Sequence, residues 1–463
     1  MVPIPQGSST AEPFIGSPAA PDPVSMPRVP RNPFMAPNGR SNIHDDAYQT
    51  DTYRWGGPLG QDIGTSSAFF GRECASITFD SKGRLVTICV GADHPVLALL
   101  NPQTLEPLAT MDLPPRNASP NPFQDFSGGG YFYLDNHDRA VIPTASTRQI
   151  LVVAETRVAG EPAFEVKHAY DVSSAVGPND SMISVLPDWH GRLWFATKKG
   201  IVGTVARRGG KVRAKDMGEP IGNSFAVDEN GGVYIVTDAA LYRFGTRRGG
   251  KPKVIWRRTY PNIGVVKPGQ TQKGSGTTPT LMGHDYVAIT DNADPMHVVV
   301  YRRARHVNGK RVLCREPVFD MGSSSTDQSL VGANRNLIAE NNYGYTGPSA
   351  TEDGKSTAPG LTRVSIRGGC HTVWESDERA PSVVPKLSLR NGLVYTYTKP
   401  PRDDGEDNWY FTALDYQTGE TVYQRFSGEG LGYNNNYAPV TLARTGTAYV
   451  GVLGGITRFE DSP

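Results

Sequence analysis

The chain has 463 residues and a formal net charge of +1, so no whole-molecule field recruits nucleic acid, and no apolar run approaches the ~20 residues needed to cross a bilayer. With 51 glycines, 37 prolines and 9% aromatics it is rich in turn-formers and strand-formers, and no amphipathic helical stretch longer than about three turns is legible. The expected protein is all-β, with no transmembrane segment and no nucleic-acid partner, and is a monomer that binds a small-molecule ligand.

Residues 1–44 carry proline after proline, including Pro3, Pro13, Pro21, Pro30 and Pro37, and read as an extended arm with little regular structure. The opening MVPIPQGSSTAEPFIG lacks the basic start and apolar core of a visible signal peptide. From residue 45 a single propeller domain is expected to run to residue 463. Ala47, Tyr48 and Thr52 to Trp55 suggest a strand. The last blade runs out of chain after three strands, so the segment 47–55 is expected to close the ring as its missing outer strand.

Asp-led turns then return along the chain. FDSKGRLV at Phe79, LDNHDRAV at Leu134, PDWHGRLW at Pro187 and VDENGGVY at Val227 are close copies, each followed by an apolar β-rich run. Weaker copies begin at Leu281, Val331, Leu389 and Ala443. Spacings of roughly 40 to 56 residues match four-stranded blades. The clearest unit is IGNSFAVDENGGVYIVTDAALYRF, starting at Ile221, in which three short apolar runs alternate like half-buried strands around Asx and glycine turns. Eight turns predict an eight-bladed β-propeller, with seven blades as the alternative. The blades start near residues 75, 128, 182, 221, 277, 328, 383 and 438.

Cys74 and Cys89 flank the first Asp-led turn and fall nearly opposite each other on an antiparallel pair. Cys314 and Cys370 fall on the outer strands of consecutive blades. Two disulfides are therefore expected, and with them a secreted, periplasmic or cell-envelope protein.

Ala413-Leu414-Asp415-Tyr416-Gln417-Thr418-Gly419-Glu420-Thr421-Val422-Tyr423 fits the AxDxxTGxxxW blade repeat, with tyrosine in the tryptophan position, and Leu99 to Leu105 is a degraded copy. The chain thereby resembles the quinoprotein-like eight-bladed propellers, a resemblance that implies a fold and, for some members, a quinone cofactor. The unit at Ile221 resembles blades of the SMP-30, gluconolactonase and strictosidine synthase group. There an asparagine opening the innermost strand helps hold a central calcium ion or line the pocket, and Asn223 is the matching position.

Hairpin placement sorts the loops onto two ends. One end collects the Asp-led turns and three basic hairpins, 207–213, 247–253 and 302–311, expected to form a cationic rim. The other collects acids and amides, and is expected to be the mouth of a central funnel. Glu73, Asp291 and Glu340 are the expected catalytic carboxylates. Asp180, Asn223, Thr277, Asn292, Asp327, Asn341, Asn342, Tyr343 and Asn435 are the expected ligand-binding residues. Carboxylates and carboxamides are hard oxygen donors, and calcium on Glu73, Asn223 and Asp291 is the cofactor they suggest. Burial of such carboxylates separates their pKa values, which acid/base chemistry needs. Tyr343, Tyr345, Trp409 and Tyr437 are candidate flat walls.

The chain has no nucleophile-elbow GxSxG on a strand-to-helix turn, no P-loop and no CxxC pair. The favoured reading is a propeller acting on a polar small molecule as a carboxylate-dependent hydrolase, lyase or isomerase, with or without calcium. A non-catalytic module for carbohydrate or protein and a quinone-dependent oxidoreductase are the alternatives.

Overall fold

The computed structural model describes residues 1–462. It contains eight sheets, set as the blades of an eight-bladed ring; each blade has four antiparallel strands in up-and-down order, and the sheet of blade seven carries two further strands from the N-terminal segment. The innermost strands are Glu73–Phe79, Tyr133–Leu134, Met182–Pro187, Ala226–Val227, Thr280–Met282, Val331–Ala333, Lys386–Ser388 and Val440–Leu442. The seven-bladed alternative is excluded.

The Asp-led turns repeat one set of bonds. Oδ1 of Asp80 accepts from the amides of Lys82 (2.9 Å) and Arg84 (2.8 Å), and Oδ1 of Asp228 accepts from Asn230 (2.9 Å) and Gly232 (2.6 Å). Asp135 and Asp188 do the same in blades two and three. Such Asx turns hold the backbone tightly enough to return the strand on itself. The fourth residue of the turn is left-handed, at φ 79° in Gly83 and φ 56° in Asp138. Glycine and aspartate both tolerate that region, so blade two keeps the turn without a glycine.

The ring is closed by an N-terminal strand on the last blade, as expected, but the strand is Gly64–Phe69, paired with Gly455–Glu460. Residues 47–55 do not close the ring. They enter its axle. Within them Thr52–Tyr53 pairs in parallel with Leu387 and Ser388, on the inner edge of blade seven. The carbonyls of Ala47, Tyr48, Thr50, Asp51 and Tyr53 accept from the amides of Val227 (2.9 Å), Leu281 (2.9 Å), Gly332 (2.9 Å), Leu387 (3.1 Å) and Leu389 (2.8 Å). A single segment thus visits the inner strands of blades four, five, six and seven in succession. Left-handed residues at Asp45, Gln49 and Asp51 turn it around the ring. Upstream, Leu134 of blade two donates to Ser41 (2.7 Å) and accepts from Ala36 (2.8 Å).

The rest of the arm is also ordered against the ring. Phe14–Gly16 pairs with Thr421–Glu429 on the outside of blade seven, and Ile4 is buried among that blade and its neighbour. Arg303 is not part of a cationic rim. It is 2% exposed and donates to Asp228 Oδ2 (2.6 Å) and to the Tyr48 hydroxyl (3.0 Å), fixing the axle segment to blades four and five.

The AxDxxTG stretch spans the turn between the last two strands of blade seven. Asp415 Oδ1 accepts from the amides of Gln417 and Thr418, both at 2.8 Å. Gly419, at φ 79°, lies so close to the Trp374 ring of blade six that a Cβ there would sit 2.5 Å from it. The motif is therefore a blade-to-blade docking turn.

Both expected disulfides form. Cys74–Cys89 bridges two strands of blade one, and Cys314–Cys370 ties the outer edges of blades five and six across a separation of 56 residues. By loop-closure entropy, cutting a cross-link of that span removes about 4 kcal/mol of stability. Cys314→Ser with Cys370→Ser should therefore lower the guanidinium midpoint clearly, and reductant should do the same to the parent. A midpoint unmoved by both would show that the bridge constrains nothing.

Candidate functional site

At the end of the ring opposite the Asp-led turns, the loops surround a cavity of about 610 Å³. Its floor is the axle segment, through Ile43 and His44, and its sides come from blades one, two, five, six, seven and eight. Most of the lining is apolar: Ile88, Val90, Phe123, Phe126, Val384 and Leu431 all contribute. The connection between blades one and two supplies one aromatic wall. Phe126 meets Tyr437 edge-on at 5.2 Å and 75°, and packs edge-on against Tyr131 at 6.4 Å.

Three carboxyl groups line the cavity: Glu73, Asp327 and Asp125, and although burial would raise Asp125, Lys198 at 2.5 Å outweighs it and holds it below its usual value. Glu73 opens the innermost strand of blade one, and its Oε2 accepts from Asn436 Nδ2 at 2.9 Å. Burial pushes its pKa up to about 8, against the opposing effects of the Asn436 hydrogen bond and the Arg116 charge. Asp327 precedes the innermost strand of blade six. Its Oδ2 accepts from the Thr271 amide at 3.1 Å, while Oδ1 is buried without a partner. Burial raises it to about 7, opposed by the hydrogen bonds it accepts. Both groups are thus poised to hold a proton near neutral pH.

Asn436 is itself held from behind. The Tyr345 hydroxyl donates to Asn436 Oδ1 (3.0 Å) and to Asn434 Oδ1 (2.8 Å). The segment that carries Tyr345 thus braces the wall without lining the cavity. Of the four expected flat walls, Tyr437 lines it, whereas Tyr345 and Trp409 are buried behind it.

The remaining expected residues are placed as follows. Asn223 stands behind the wall: its Oδ1 accepts from the Tyr131 hydroxyl (2.9 Å) and its Nδ2 donates to the Gly276 carbonyl (2.7 Å). Asp291 binds its own loop, accepting from the His297 amide (2.8 Å) and meeting His297 Nδ1 at 2.9 Å. Glu340 is buried outside the cavity and accepts from Asn342 Nδ2 at 2.7 Å, with Oε2 unpartnered. Asn292, Asn341 and Asn342 each donate to backbone carbonyls that fix loops. Asp180 caps the amides of Ser181 and Lys199, Thr277 accepts from the Thr290 amide, and Asn435 donates to the Ala438 carbonyl. Tyr343 is half-buried in the loop after blade six's second strand. Glu73 and Asp327 therefore share the cavity, and Asp291 and Glu340 do not. The three donors named for calcium are held apart, each with separate partners. Among the described residues no three His, Cys, Asp or Glu side chains are grouped to hold a metal ion.

The floor contains residues that sequence reasoning had no means to assign. His44 Nδ1 lies 3.1 Å from Asp51 Oδ1 and 3.0 Å from Ser329 Oγ, and its ring stacks on Tyr131 at 6.0 Å. Asp51 also accepts from Lys386 Nζ at 2.5 Å, and Lys386 reaches Asp45 at 3.3 Å and the Ile43 carbonyl. Burial alone would raise Asp51, but Lys386 and His44 outweigh it and hold it below its usual value. Asp45, with weaker compensation, is pushed by burial up to about 7. The polar run His44-Asp45-Asp46 after a proline-rich arm was the available signal. Without a neighbour to pair with, it reads as a solvated linker.

No family model matches the chain. An uncharacterized protein of Archaeoglobus fulgidus is 27% identical over 334 residues, 64% of this chain and 64% of the relative, so the match spans less than two thirds of that protein. Among solved structures, BamB from Moraxella catarrhalis is similar at 13% identity and a TM-score of 0.45, covering 69% of this chain and 93% of BamB. A catalytically inactive virginiamycin B lyase from Staphylococcus aureus, solved with quinupristin, is similar at 9% identity and a TM-score of 0.43. It covers 86% of this chain and 99% of the lyase. The protein is an eight-bladed β-propeller whose mouth forms a mainly apolar cavity with the carboxyl groups of Glu73, Asp125 and Asp327 in its wall.

Two predictions come from these charges. Asp51→Ala strips the fully buried Lys386 of its closer partner, and breaking such a pair costs about 3–5 kcal/mol. Lys386→Met added to Asp51→Ala should recover most of the loss in urea unfolding, whereas equal losses in the single and double variants would contradict the pairing. Glu73 and Asp327 bind protons more tightly folded than unfolded, so their contribution to stability falls as pH climbs from about 4 through about 7 to 8. Glu73→Gln removes one share of that fall. It should melt ~1–3 °C higher than the parent at pH 8 and together with it at pH 4. The reverse order would show that Glu73 is ionised at little cost.

Proposed function

We propose that the protein binds a mainly apolar, flat small molecule in the mouth cavity and acts on it by proton transfer, as a hydrolase, lyase or isomerase, with Glu73 and Asp327 as the proton-carrying groups. The observation that carries this reading is the pairing of two carboxyls, both raised by burial towards neutral pH, with aromatic and aliphatic walls. A carboxyl kept protonated near pH 7 donates a hydrogen bond or a proton to a carbonyl or ether oxygen of the ligand. Asn436 orients Glu73, and Tyr345 orients Asn436. The two disulfides fit function in an extracellular or periplasmic setting.

The test uses pooled aromatic and alicyclic ketones, lactones and esters. After rapid gel filtration, mass spectrometry should find compounds retained by the parent and lost at least ~10-fold by Ala92→Trp, a substitution at an exposed position on the cavity rim. Equal retention by the variant would remove the cavity as the site. For retained compounds that are converted, Glu73→Gln and Asp327→Asn should lower turnover by ~10²-fold or more while binding changes little. Retention without any conversion would make the cavity a recognition site only.

A further inference from the structure

We propose that His44, delivered to the cavity floor by the N-terminal segment, is the proton acceptor of this site, with Nε2 as the accepting atom. The inference rests on the cavity being the ligand site, as proposed above, and adds the group that would take a proton from the bound molecule.

The geometry of the ring determines which nitrogen is free. Both carboxylate oxygens of Asp51 lie near Nδ1, at 3.1 and 3.2 Å. A lone pair there would face an anion, so Nδ1 carries hydrogen and donates it to Asp51. Ser329 Oγ, 3.0 Å from the same nitrogen, donates its own hydrogen to Asp51 Oδ2 at 2.5 Å. Asp51 stays anionic because Lys386 is bonded to it. With Nδ1 so occupied, the Nε2 lone pair is left, and Nε2 is buried without any partner.

A buried, unpartnered nitrogen loses the hydrogen bonds it would make in water. The ring is also held against rotation, by the Asp51 and Ser329 contacts on one edge and by the face of Tyr131 at 6.0 Å. An acceptor of fixed tautomer and fixed orientation at the floor of a cavity whose wall carries two carboxyls driven by burial towards the protonated form separates acid from base across one bound molecule. A ligand with a carbonyl and an adjacent acidic C–H suits the pair. Nε2 takes the carbon-bound proton, the bonding electrons move into the carbonyl, and the carbonyl oxygen takes the proton of a wall carboxyl. The products of the step are an imidazolium, a carboxylate and an enol.

Two measurements on the parent protein test His44 without any ligand. In protein labelled with ¹⁵N-histidine, assigned by loss of signal in His44→Gln, Nδ1 should show the shift of a protonated ring nitrogen and Nε2 that of a bare one. Diethyl pyrocarbonate followed by peptide mapping should modify His44, and Ala92→Trp should slow this at least ~10-fold while leaving the 71% exposed His284 unaffected. A proton on Nε2, or an unmodified His44 beside a fully modified His284, overturns the proposal. With compounds retained in the cavity, His44→Gln should keep retention and lower turnover ~10²-fold or more. Unchanged turnover also overturns it. Failure of the compound screen alone would count against the ligand site, whereas the two ligand-free measurements decide the state of His44.

Discussion

A ring of blades leaves eight innermost strands whose inner edges face the axle, and each buried amide left unpaired there costs about 1–3 kcal/mol. The segment between residues 41 and 55 meets this demand in blades two, four, five, six and seven by offering backbone carbonyls one after another. Trp55 adds a bond from its indole to the Leu442 carbonyl of blade eight, at 2.9 Å. The same segment blocks the axle, so the ring becomes a cup with a floor. Everything at the mouth depends on that floor.

Three arginines secure the arm from the ring side. Arg207 lies over Phe34 at 5.5 Å, Arg303 over Tyr48 at 5.1 Å and Arg444 over Trp55 at 5.1 Å. Cation–π contacts of this kind strengthen as water is excluded, and the buried Arg303 also satisfies Asp228 and Glu229. Part of the positive charge that appears as a basic rim in the sequence is thus directed inward, to hold the arm.

The floor and wall differ in how they treat charge. In the floor Lys386, Asp51 and Asp45 compensate one another, which keeps Asp51 anionic and orients His44. In the wall Glu73 and Asp327 lack a close cation and are driven towards the neutral form. In the floor Asp51 has a buried cationic partner, and in the wall Asp125 is paired with Lys198 while Glu73 and Asp327 have no ion-pair partner, which gives the site its separate donor and acceptor sides.

The blade repeat was legible because its signals are local. An aspartate and a left-handed residue three positions later make the same turn wherever they occur, and Cys74 and Cys89 face each other by hairpin register alone. Closure by an N-terminal strand also followed from counting strands. The identity of that strand did not, since Gly64–Phe69 is a weakly apolar GTSSAF that only its edge position stabilises. The cavity was half legible. Glu73 and Asp327 were named because both stand where the chain enters an inner strand; Asp291 and Glu340 were named from connections between second and third strands at the same end, and they turned inward to their own loops. His44, Asp51 and Lys386 lie up to 342 positions apart, the separation of His44 from Lys386. Their pairing depends on a segment crossing the axle after the ring has closed, so no local pattern records it, and only the tertiary structure decides it.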